Sequence, residues 1–369
     1  MSPSHFTRRG FLRAAGLGGL SAAALAARPA LAQGQDHSDE LISYNELFGS
    51  PPMLGRVHGA SWIRMFAEPD PAARTVGRFD WGDVMPLYRG VRSVPYDARA
   101  QSPVWFETDG GYVHSAYVVP SQEMFQAPLT RMPHRDGFWA EVMTPIAWQH
   151  KQPELSSYRW DYAYYRLYWG QVYRVIDIQK DADGIVWYRL QDDIEPERQA
   201  WAQGRLLRYI SPDEFKPISV DVPDKRIVIE LAGQTLTCYE GDIAVFQTRI
   251  ASGSSFQDDE GNAVDFSTPY GDYAVQRKRP TRRMRGGFEI GLGYDVNAVP
   301  WVTYFSYTGA AIHGAYWHNN FGRPRSHGCI NVTPDAAKWI YRWTAPHGGY
   351  DDEYLWTEPG EVATPIEIV

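Results

Sequence analysis

Short runs of alternating apolar and polar residues, separated by Gly, Pro or Asp, occupy most of this chain and restrict its possible folds. Examples are residues 62–66, 104–108, 186–190 and 226–230. The 33 glycines and 26 prolines supply the turns that such short strands require. Apart from the N-terminal leader, only residues near 334–344 repeat apolar side chains at helical spacing. The sequence therefore predicts a mostly β protein with one main helix.

The segment from Ala311 to Asn331 carries the strongest chemical signal. It contains His313, His327 and Cys329, one of only two cysteines in the chain. A thiolate is a good acyl-transfer nucleophile when an imidazole takes its proton. Gly328 allows backbone N–H groups to face a developing oxyanion. This combination predicts cysteine-dependent acyl transfer.

A helix start is predicted just after this segment. Thr333 reads as the N-cap, Pro334 as the first helical residue and Asp335 as an acid in the first turn. The positive end of such a helix favours a thiolate at Cys329.

These residues resemble the L,D-transpeptidase family, bacterial cysteine enzymes that remodel peptidoglycan, over roughly residues 222–369. The elements that match its motifs are His313-Gly314, Ser326-His327-Gly328-Cys329-Ile330-Asn331, Ser252-Gly253 and Thr268-Pro269-Tyr270-Gly271-Asp272-Tyr273. One departure is Tyr273, where the family more often has phenylalanine. The resemblance implies a β-sandwich catalytic domain.

The resemblance also implies roles for individual residues. Cys329 would be the nucleophile, His313 the general base, and the carbonyl of Gly314 would fix the imidazole tautomer. The backbone of His327, Gly328 and Cys329 would stabilise the oxyanion. Substrate-binding positions are expected at Ser326, Asn331, Tyr304, Arg282 and Arg283. No metal or organic cofactor is expected.

A thioester on Cys329 could be released in three ways, and the sequence does not choose among them. An acceptor stem amine would give a 3→3 cross-link between peptidoglycan stem peptides, water would make the protein an L,D-carboxypeptidase, and a protein amine would anchor that protein to the wall. A non-catalytic wall-binding protein is a further alternative. So is a zinc site, because its possible ligands are His313, His318, His327 and Cys329. A disulfide between Cys238 and Cys329 would silence the nucleophile; otherwise Cys238 reads as a buried strand residue, and His318 as solvated or packed in a loop.

A basic segment lies between the upstream motifs and Cys329. Residues 277–287 contain six Arg and Lys side chains. One interpretation is a solvated loop. The other is a glycine-flanked mobile lid whose Arg282 and Arg283 pair with stem carboxylates.

The N-terminus indicates export. Thr7-Arg8-Arg9-Gly10-Phe11-Leu12 is a twin-arginine pattern, followed by an apolar stretch and the small-residue cleavage site Ala30-Leu31-Ala32. The mature chain is expected in the periplasm or cell-wall space. Its 32 basic against 44 acidic residues, after removal of four leader arginines, argue against nucleic-acid binding.

Composition divides the chain into five predicted segments. Residues 51–125 resemble a bacterial SH3-like module through Trp105–Val113, and 126–217 resemble a diverged second copy, because the runs 186–190 and 104–108 are similar. The aromatic run Tyr158–Trp169 is interpreted as barrel core, although a glycan or wall-protein surface is the alternative. The segments are a signal peptide (1–32), a linker (33–50), an SH3-like domain (51–125), a second SH3-like β domain (126–217) and the catalytic domain (218–369).

Overall fold

The computed structural model describes residues 42–43, 53–96, 102–156, 165–198 and 200–369. The predicted leader, most of the linker and the first part of the aromatic run lie outside these residues. Within them, no helix is long and apolar enough to cross a membrane. The described chain is mostly β, as predicted, and its one α-helix is α1 (Pro334–Trp343).

The first β unit consists of a six-stranded sheet in the order β1-β6-β7-β8-β3-β4 and a three-stranded sheet in the order β5-β2-β9. Its own apolar core includes Val57, Phe106 and Val118. Its strands are β1 (Ile42–Ser43), β2 (Leu54–Val57), β3 (Trp62–Phe66), β4 (Thr75–Asp80), β5 (Val84–Pro86), β6 (Arg89–Arg92), β7 (Val104–Thr108), β8 (Gly111–His114) and β9 (Val118–Ser121).

The second β unit is built on a five-stranded sheet in the order β15-β14-β13-β10-β16, with β11 and β12 paired separately. Buried and partly buried residues follow the same order along β7 and β14. A single 3-10 turn precedes the last strand in both units. The SH3-like assignment stays a prediction. The strands are β10 (Phe138–Val142), β11 (Ile146–Trp148), β12 (Arg166–Tyr168), β13 (Val172–Lys180), β14 (Val186–Leu190), β15 (Trp201–Gln203) and β16 (Leu207–Tyr209).

The C-terminal region contains two five-stranded sheets, β19-β18-β17-β28-β22 and β26-β25-β24-β23-β27, and a hairpin of β20 with β21. Its strands are β17 (Lys225–Glu230), β18 (Thr235–Glu240), β19 (Ile243–Arg249), β20 (Ser255–Gln257), β21 (Ala263–Asp265), β22 (Gly271–Ala274), β23 (Arg277–Gly286), β24 (Tyr294–Tyr304), β25 (Ala311–Gly314), β26 (Ile330–Val332), β27 (Leu355–Trp356) and β28 (Pro365–Ile368).

Both C-terminal sheets and α1 contribute to one core. Ile229 comes from the first sheet, Ile312 from the second and Ile340 from the helix. The same apolar cluster continues into the second β unit through Phe215, whose ring lies 5.2 Å from that of Trp301. Burial of so many large apolar side chains is the main stabilising term for a fold without disulfides in its described part.

The helix begins as the sequence predicts. Thr333 is the N-cap, and its hydroxyl accepts a hydrogen bond from the backbone N–H of Ala336 at 3.3 Å. Pro334 occupies the first helical turn, where a missing N–H costs nothing. The helix packs on β24 and β25 and so supports the strand that carries His313.

Candidate active site

Parallel pairing of β25 with β26 brings the two predicted catalytic residues together. Ile312 lies opposite Ile330, and Cys329 immediately precedes β26. His313 and Cys329 both line a cavity of about 280 Å³, here called the His313 pocket. Other side chains around it are Met284, Tyr294, Val296 and Trp317.

His313 is buried and its orientation is fixed. Nδ1 lies 3.3 Å from the carbonyl oxygen of Gly314, and the ring centroid lies 5.7 Å from that of Trp317. A carbonyl can only accept, so Nδ1 carries the proton and the lone pair is on Nε2. Burial lowers the pKa of His313 to about 4, which keeps the imidazole neutral near pH 7. A neutral imidazole with a free Nε2 lone pair can act as a base.

Cys329 is half-buried, and its Sγ lies 3.9 Å from the carbonyl oxygen of Gly309. Burial raises the pKa of its thiol to about 11, and a backbone hydrogen bond with Ala311 offsets part of this rise. Burial therefore opposes the thiolate that the helix end is expected to favour. Strand β26 separates Cys329 from α1, and a helix dipole acts mainly within its first turn.

The loop before Cys329 has the geometry expected of an oxyanion-binding loop. Gly328 has φ of +104°, a conformation that favours glycine. Its carbonyl accepts a 3.0 Å hydrogen bond from the Thr268 hydroxyl, which itself accepts from the Gly253 N–H at 2.8 Å. Among the described residues, the N–H groups of Gly328 and Cys329 donate to no backbone carbonyl. They therefore remain available to a ligand.

Ser326 and Asn331 have structural contacts on either side of the thiol. The Ser326 hydroxyl donates to the carbonyl of Cys329. The Asn331 amide lies 3.0 Å from Nε2 of His318, and His318 is buried, so the solvated interpretation of His318 is wrong. Both Ser326 and Asn331 also line the His313 pocket, and a substrate-binding role for them stays a prediction.

His327 packs among aromatic rings. Its ring lies 4.3 Å from that of Phe256 in a stacked arrangement and 4.9 Å from that of Tyr294. Phe256 belongs to β20, so the β20–β21 hairpin supports the loop that carries the thiol. The described atoms thus give the His327 side chain a packing role.

A second cavity, of about 440 Å³, also reaches Cys329 and shares Met284, Tyr294 and His327 with the His313 pocket. Four arginines line it, against Arg325 alone in the His313 pocket, and we call it the basic pocket. Its lining includes Arg277, Arg282, Arg285, Tyr304 and Cys329. The Arg277 guanidinium lies 4.3 Å from the Tyr304 ring centroid, which leaves Tyr304 as part of the pocket wall.

The basic segment is not a mobile lid or a solvated loop. Residues Arg277–Gly286 form β23, which pairs with β24 on one side and with β27 on the other. The sequence interpretation was wrong because Arg279, Arg282 and Arg283 pair with carboxylates from a distant part of the chain. Asp193 of the second β unit accepts from Arg282 Nη1 at 2.8 Å and from the backbone N–H of Arg283 at 3.0 Å.

Arg283 is paired with carboxylates of the protein. Its side chain is 2% exposed, and two of its nitrogens each lie 2.7 Å from a carboxylate oxygen of Asp295. A third contacts Asp192 at 3.1 Å. These partners raise the pKa of Arg283 further above its ordinary range. Arg283 lines the basic pocket, but carboxylates of the protein already hold its guanidinium, so its substrate-binding role stays a prediction that these contacts disfavour.

Arg56 of the first β unit was not found from the sequence. Its guanidinium donates to the carbonyl of Tyr316 at 2.8 Å and lies 4.3 Å from the ring centroid of Tyr168 in the second unit. The rings of Tyr168 and Tyr316 stack at 5.6 Å. Burial lowers the pKa of Arg56 to about 10. Three parts of the chain therefore meet beside the segment that links His313 to Cys329, and an isolated arginine in β2 gives no local signal of this.

Among the described residues, the side chains form neither the zinc site nor the disulfide that the sequence left open. No group of three or more His, Cys, Asp or Glu there could hold a metal ion. Cys238 and Cys329 are both free, and Cys238 is fully buried.

The C-terminal region is thus a β-sandwich that presents a cysteine and a neutral histidine to one cavity. Residues 224–368 match the YkuD family, the L,D-transpeptidase catalytic domain. This part of the chain is a YkuD-type L,D-transpeptidase catalytic domain.

Individual relatives match smaller or more distant stretches. L,D-transpeptidase 2 of Mycobacterium tuberculosis (strain CDC 1551 / Oshkosh) is 43% identical over 55 residues, which is 13% of this chain and 12% of the relative. A solved L,D-transpeptidase from Mycobacterium smegmatis is 19% identical and covers 50% of this chain and 90% of its own, with a TM-score of 0.30. One from Enterococcus faecium is 21% identical and covers 40% of this chain and 50% of its own, with a TM-score of 0.29. The chain thus spans about an eighth of the curated relative.

Proposed function

We propose that this protein is a peptidoglycan L,D-transpeptidase that forms 3→3 cross-links through a thioester on Cys329. The carrying observation is the placement of Cys329 and a neutral His313 in one pocket of a YkuD-type domain. The Gly314 carbonyl on Nδ1 supports the same role, because it leaves Nε2 free to accept the thiol proton.

The first half-reaction forms the thioester. Burial favours the neutral form of both groups, so proton transfer to His313 accompanies attack of the sulfur on the donor carbonyl. The N–H groups of Gly328 and Cys329 stabilise the oxyanion. His313 then returns the proton to the leaving D-amino acid amine as the C–N bond breaks.

The second half-reaction releases the enzyme. A stem-peptide amine attacks the thioester, its surplus proton passes to His313, and the C–S bond breaks to regenerate the thiol. Arg277, Arg282 and Arg285 line the basic pocket and suit the carboxylates of peptide stems. Water as the acceptor would give L,D-carboxypeptidase activity, and a protein amine would give wall anchoring.

Incubation with defined muropeptides and mass analysis of the products tests this proposal. Wild type should yield a dimer joined through two diamino acids, with a covalent donor adduct on Cys329. Cys329→Ala should give neither, whereas Cys238→Ala should behave as wild type because that thiol is buried away from both pockets. Trimmed tripeptide without dimer would favour carboxypeptidase activity, and no adduct on any donor would refute the proposal.

We also propose export by the twin-arginine pathway to the periplasm or cell-wall space. The support is the Arg8-Arg9 pattern with its apolar stretch and small-residue cleavage site. Fractionation of cells that express the full chain should place the mature protein outside the cytoplasm. Replacement of both arginines by lysine should retain it inside; export unaffected by that change would contradict the assignment.

A further inference from the structure

His318 is a buried histidine to which the proposed reaction gives no role, and it lies beside the His313 pocket. It is 2% exposed, and its ring lies 4.9 Å from that of Phe321. Its two ring nitrogens contact Asn320 and Asn331. Burial holds the pKa of His318 well below its usual range, so the ring is neutral near pH 7 and carries a proton on one nitrogen only.

A backbone group decides which nitrogen of His318 carries that proton. The N–H of Asn320 donates to Nδ1 of His318 at 3.3 Å. A backbone N–H can only donate, so Nδ1 is the acceptor and the proton is on Nε2. His313 has the opposite tautomer, because its Nδ1 faces the carbonyl of Gly314.

The tautomer of His318 determines the orientation of the Asn331 amide. The structure places the amide nitrogen at 3.0 Å from Nε2 of His318, where two N–H groups would face each other. The backbone of Asn331 cannot relieve this conflict, because it is held to Ala251 by two hydrogen bonds of 2.9 and 3.0 Å. A half-turn of the amide exchanges its nitrogen and oxygen and converts the contact into an N–H···O hydrogen bond. The amide NH₂ then takes the position of an oxygen that has no hydrogen-bond partner in the part of the chain that the structure describes.

This NH₂ group belongs to a side chain that lines the His313 pocket. Asn331 is the register partner of His313 in the parallel pair of β25 with β26, so both side chains project from the same face of the sheet. Asn331 is buried and lines the cavity together with His313 and Cys329. A buried NH₂ without an acceptor costs free energy, which an acceptor atom of a bound ligand would recover. A stem peptide offers such acceptors in its peptide carbonyls.

We propose that His318 is a positioning residue, whose Nε2–H holds the Asn331 carbonyl so that the Asn331 NH₂ donates to a peptide carbonyl of the donor stem. The kinetic part of the proposal rests on the proposed transpeptidase function. His318 lines neither cavity at Cys329, so it acts through Asn331 and takes no part in proton transfer. Its loss should weaken substrate binding and leave the chemical steps at their usual rate.

The tautomer can be measured in the wild-type protein without substrate. In a proton–nitrogen correlation spectrum of protein labelled with nitrogen-15 at histidine, His318 should show a protonated Nε2 and a bare Nδ1 near neutral pH. His313 should show the reverse. The variants His318→Gln and His313→Gln identify the two rings by the loss of their signals. A His318 ring protonated on Nδ1, or on both nitrogens, would overturn the proposal.

Steady-state kinetics with a stem-peptide donor test the positioning role. His318→Phe keeps a ring and removes the hydrogen-bond donor, so KM should rise about tenfold with kcat unchanged, the effect of one hydrogen bond. His318→Gln can still donate to the Asn331 carbonyl and should recover most of this loss. His134→Phe is the matched control, because His134 contacts the Tyr209 hydroxyl in the second β unit and lines neither cavity.

A double-mutant comparison separates positioning from general damage to the fold. Asn331→Leu removes the amide with little change of shape and should raise KM by a similar factor. Adding His318→Phe to it should raise KM no further, because His318 acts only through Asn331. Multiplied effects, a loss confined to kcat, or an unchanged KM in His318→Phe would overturn the proposal.

The two proposals fail in different ways. Absence of turnover with wild type would refute the proposed transpeptidase function. The tautomer of His318 needs neither substrate nor a folded variant with phenylalanine at this position, so it decides the orientation of the Asn331 amide in either case.

Discussion

The two cavities that meet at Cys329 differ in the charge of the residues that line them. Val296 and Trp317 line the His313 pocket alone, whereas Arg277, Arg282 and Arg285 line the basic pocket alone. Burial favours the neutral form of both reacting groups, and the basic pocket offers cations to an anionic substrate. The two cavities share Cys329 but offer different groups to a substrate, so substitutions that affect only one of them should change different kinetic constants.

Loss of the base should have the largest effect. His313→Ala should lower kcat/KM for transpeptidation by about 10²–10⁴, the usual contribution of a positioned general base. Carbapenem acylation of Cys329, followed by intact mass, should slow in parallel, while KM for the donor changes little. A large rise in KM with unchanged kcat would instead show that His313 acts in substrate binding and not as a base.

Removal of Arg283 should destabilise the fold. Arg283→Ala leaves the buried carboxylates of Asp192 and Asp295 without this cation, which typically costs about 3–5 kcal/mol of unfolding free energy. Urea denaturation measures this loss. Arg283→Lys keeps the charge but not the two parallel hydrogen bonds, so it should lie between wild type and the alanine variant. Unchanged stability with weakened substrate binding would instead support a substrate-binding role for Arg283.

Acid should destabilise the folded protein through protonation of His313. The pKa of His313 is about 4 in the folded protein and about 6.5 in an unfolded chain, so between these values the unfolded chain binds the extra proton. Stability should therefore fall as pH falls through this window, by up to about 3 kcal/mol for this group. Burial also lowers the pKa of His58 and His318, which adds to the slope.

Thermal melts of wild type and His313→Gln between pH 4 and pH 7.5 isolate the His313 contribution. The glutamine variant should show a shallower loss of stability in acid, and identical slopes would contradict the neutral imidazole. Arg282→Lys provides the matched control from the other cavity, because it preserves the charge there.

Arg282 should give the smallest effect. Its side chain is 33% exposed and paired with Asp193, so Arg282→Ala should change stability by less than about 1 kcal/mol. KM for an anionic donor should rise about tenfold, the order of one charge-assisted hydrogen bond. Acylation by a small neutral thiol reagent should be unaffected. Equal losses with both would show that Arg282 acts on the thiol.

The sequence correctly predicted the strands and the helix that depend on interactions between neighbouring residues. The alternating run at 226–230, which forms β17, and α1 with its Thr333 cap are confirmed, because their signals lie within a few neighbouring residues. The grouping of His313, Gly314 and Cys329 could likewise be predicted, since one short segment carries them all.

Contacts between distant parts of the chain could not be predicted. The basic segment reads as a solvated loop until Asp192 and Asp193 are placed beside it, about 90 residues earlier in the sequence. The thiol pKa likewise depends on burial by several elements, and the helix start downstream is a poor guide to it. Thr268, Trp317 and Arg56 contribute to the site through packing and hydrogen bonds, which the spacing of apolar residues in the sequence does not predict.

The Arg56 junction limits how freely this architecture can be recombined in evolution or engineering. One guanidinium contacts Tyr168 and Tyr316, which belong to the other two parts of the chain. Exchange of the first β unit for an unrelated module would leave the carbonyl of Tyr316 and the paired tyrosine rings without their cation, close in sequence to His313. A protein in which this unit is replaced therefore needs an equivalent long cationic side chain from the new module. Otherwise the surfaces around Tyr168 and Tyr316 must both change.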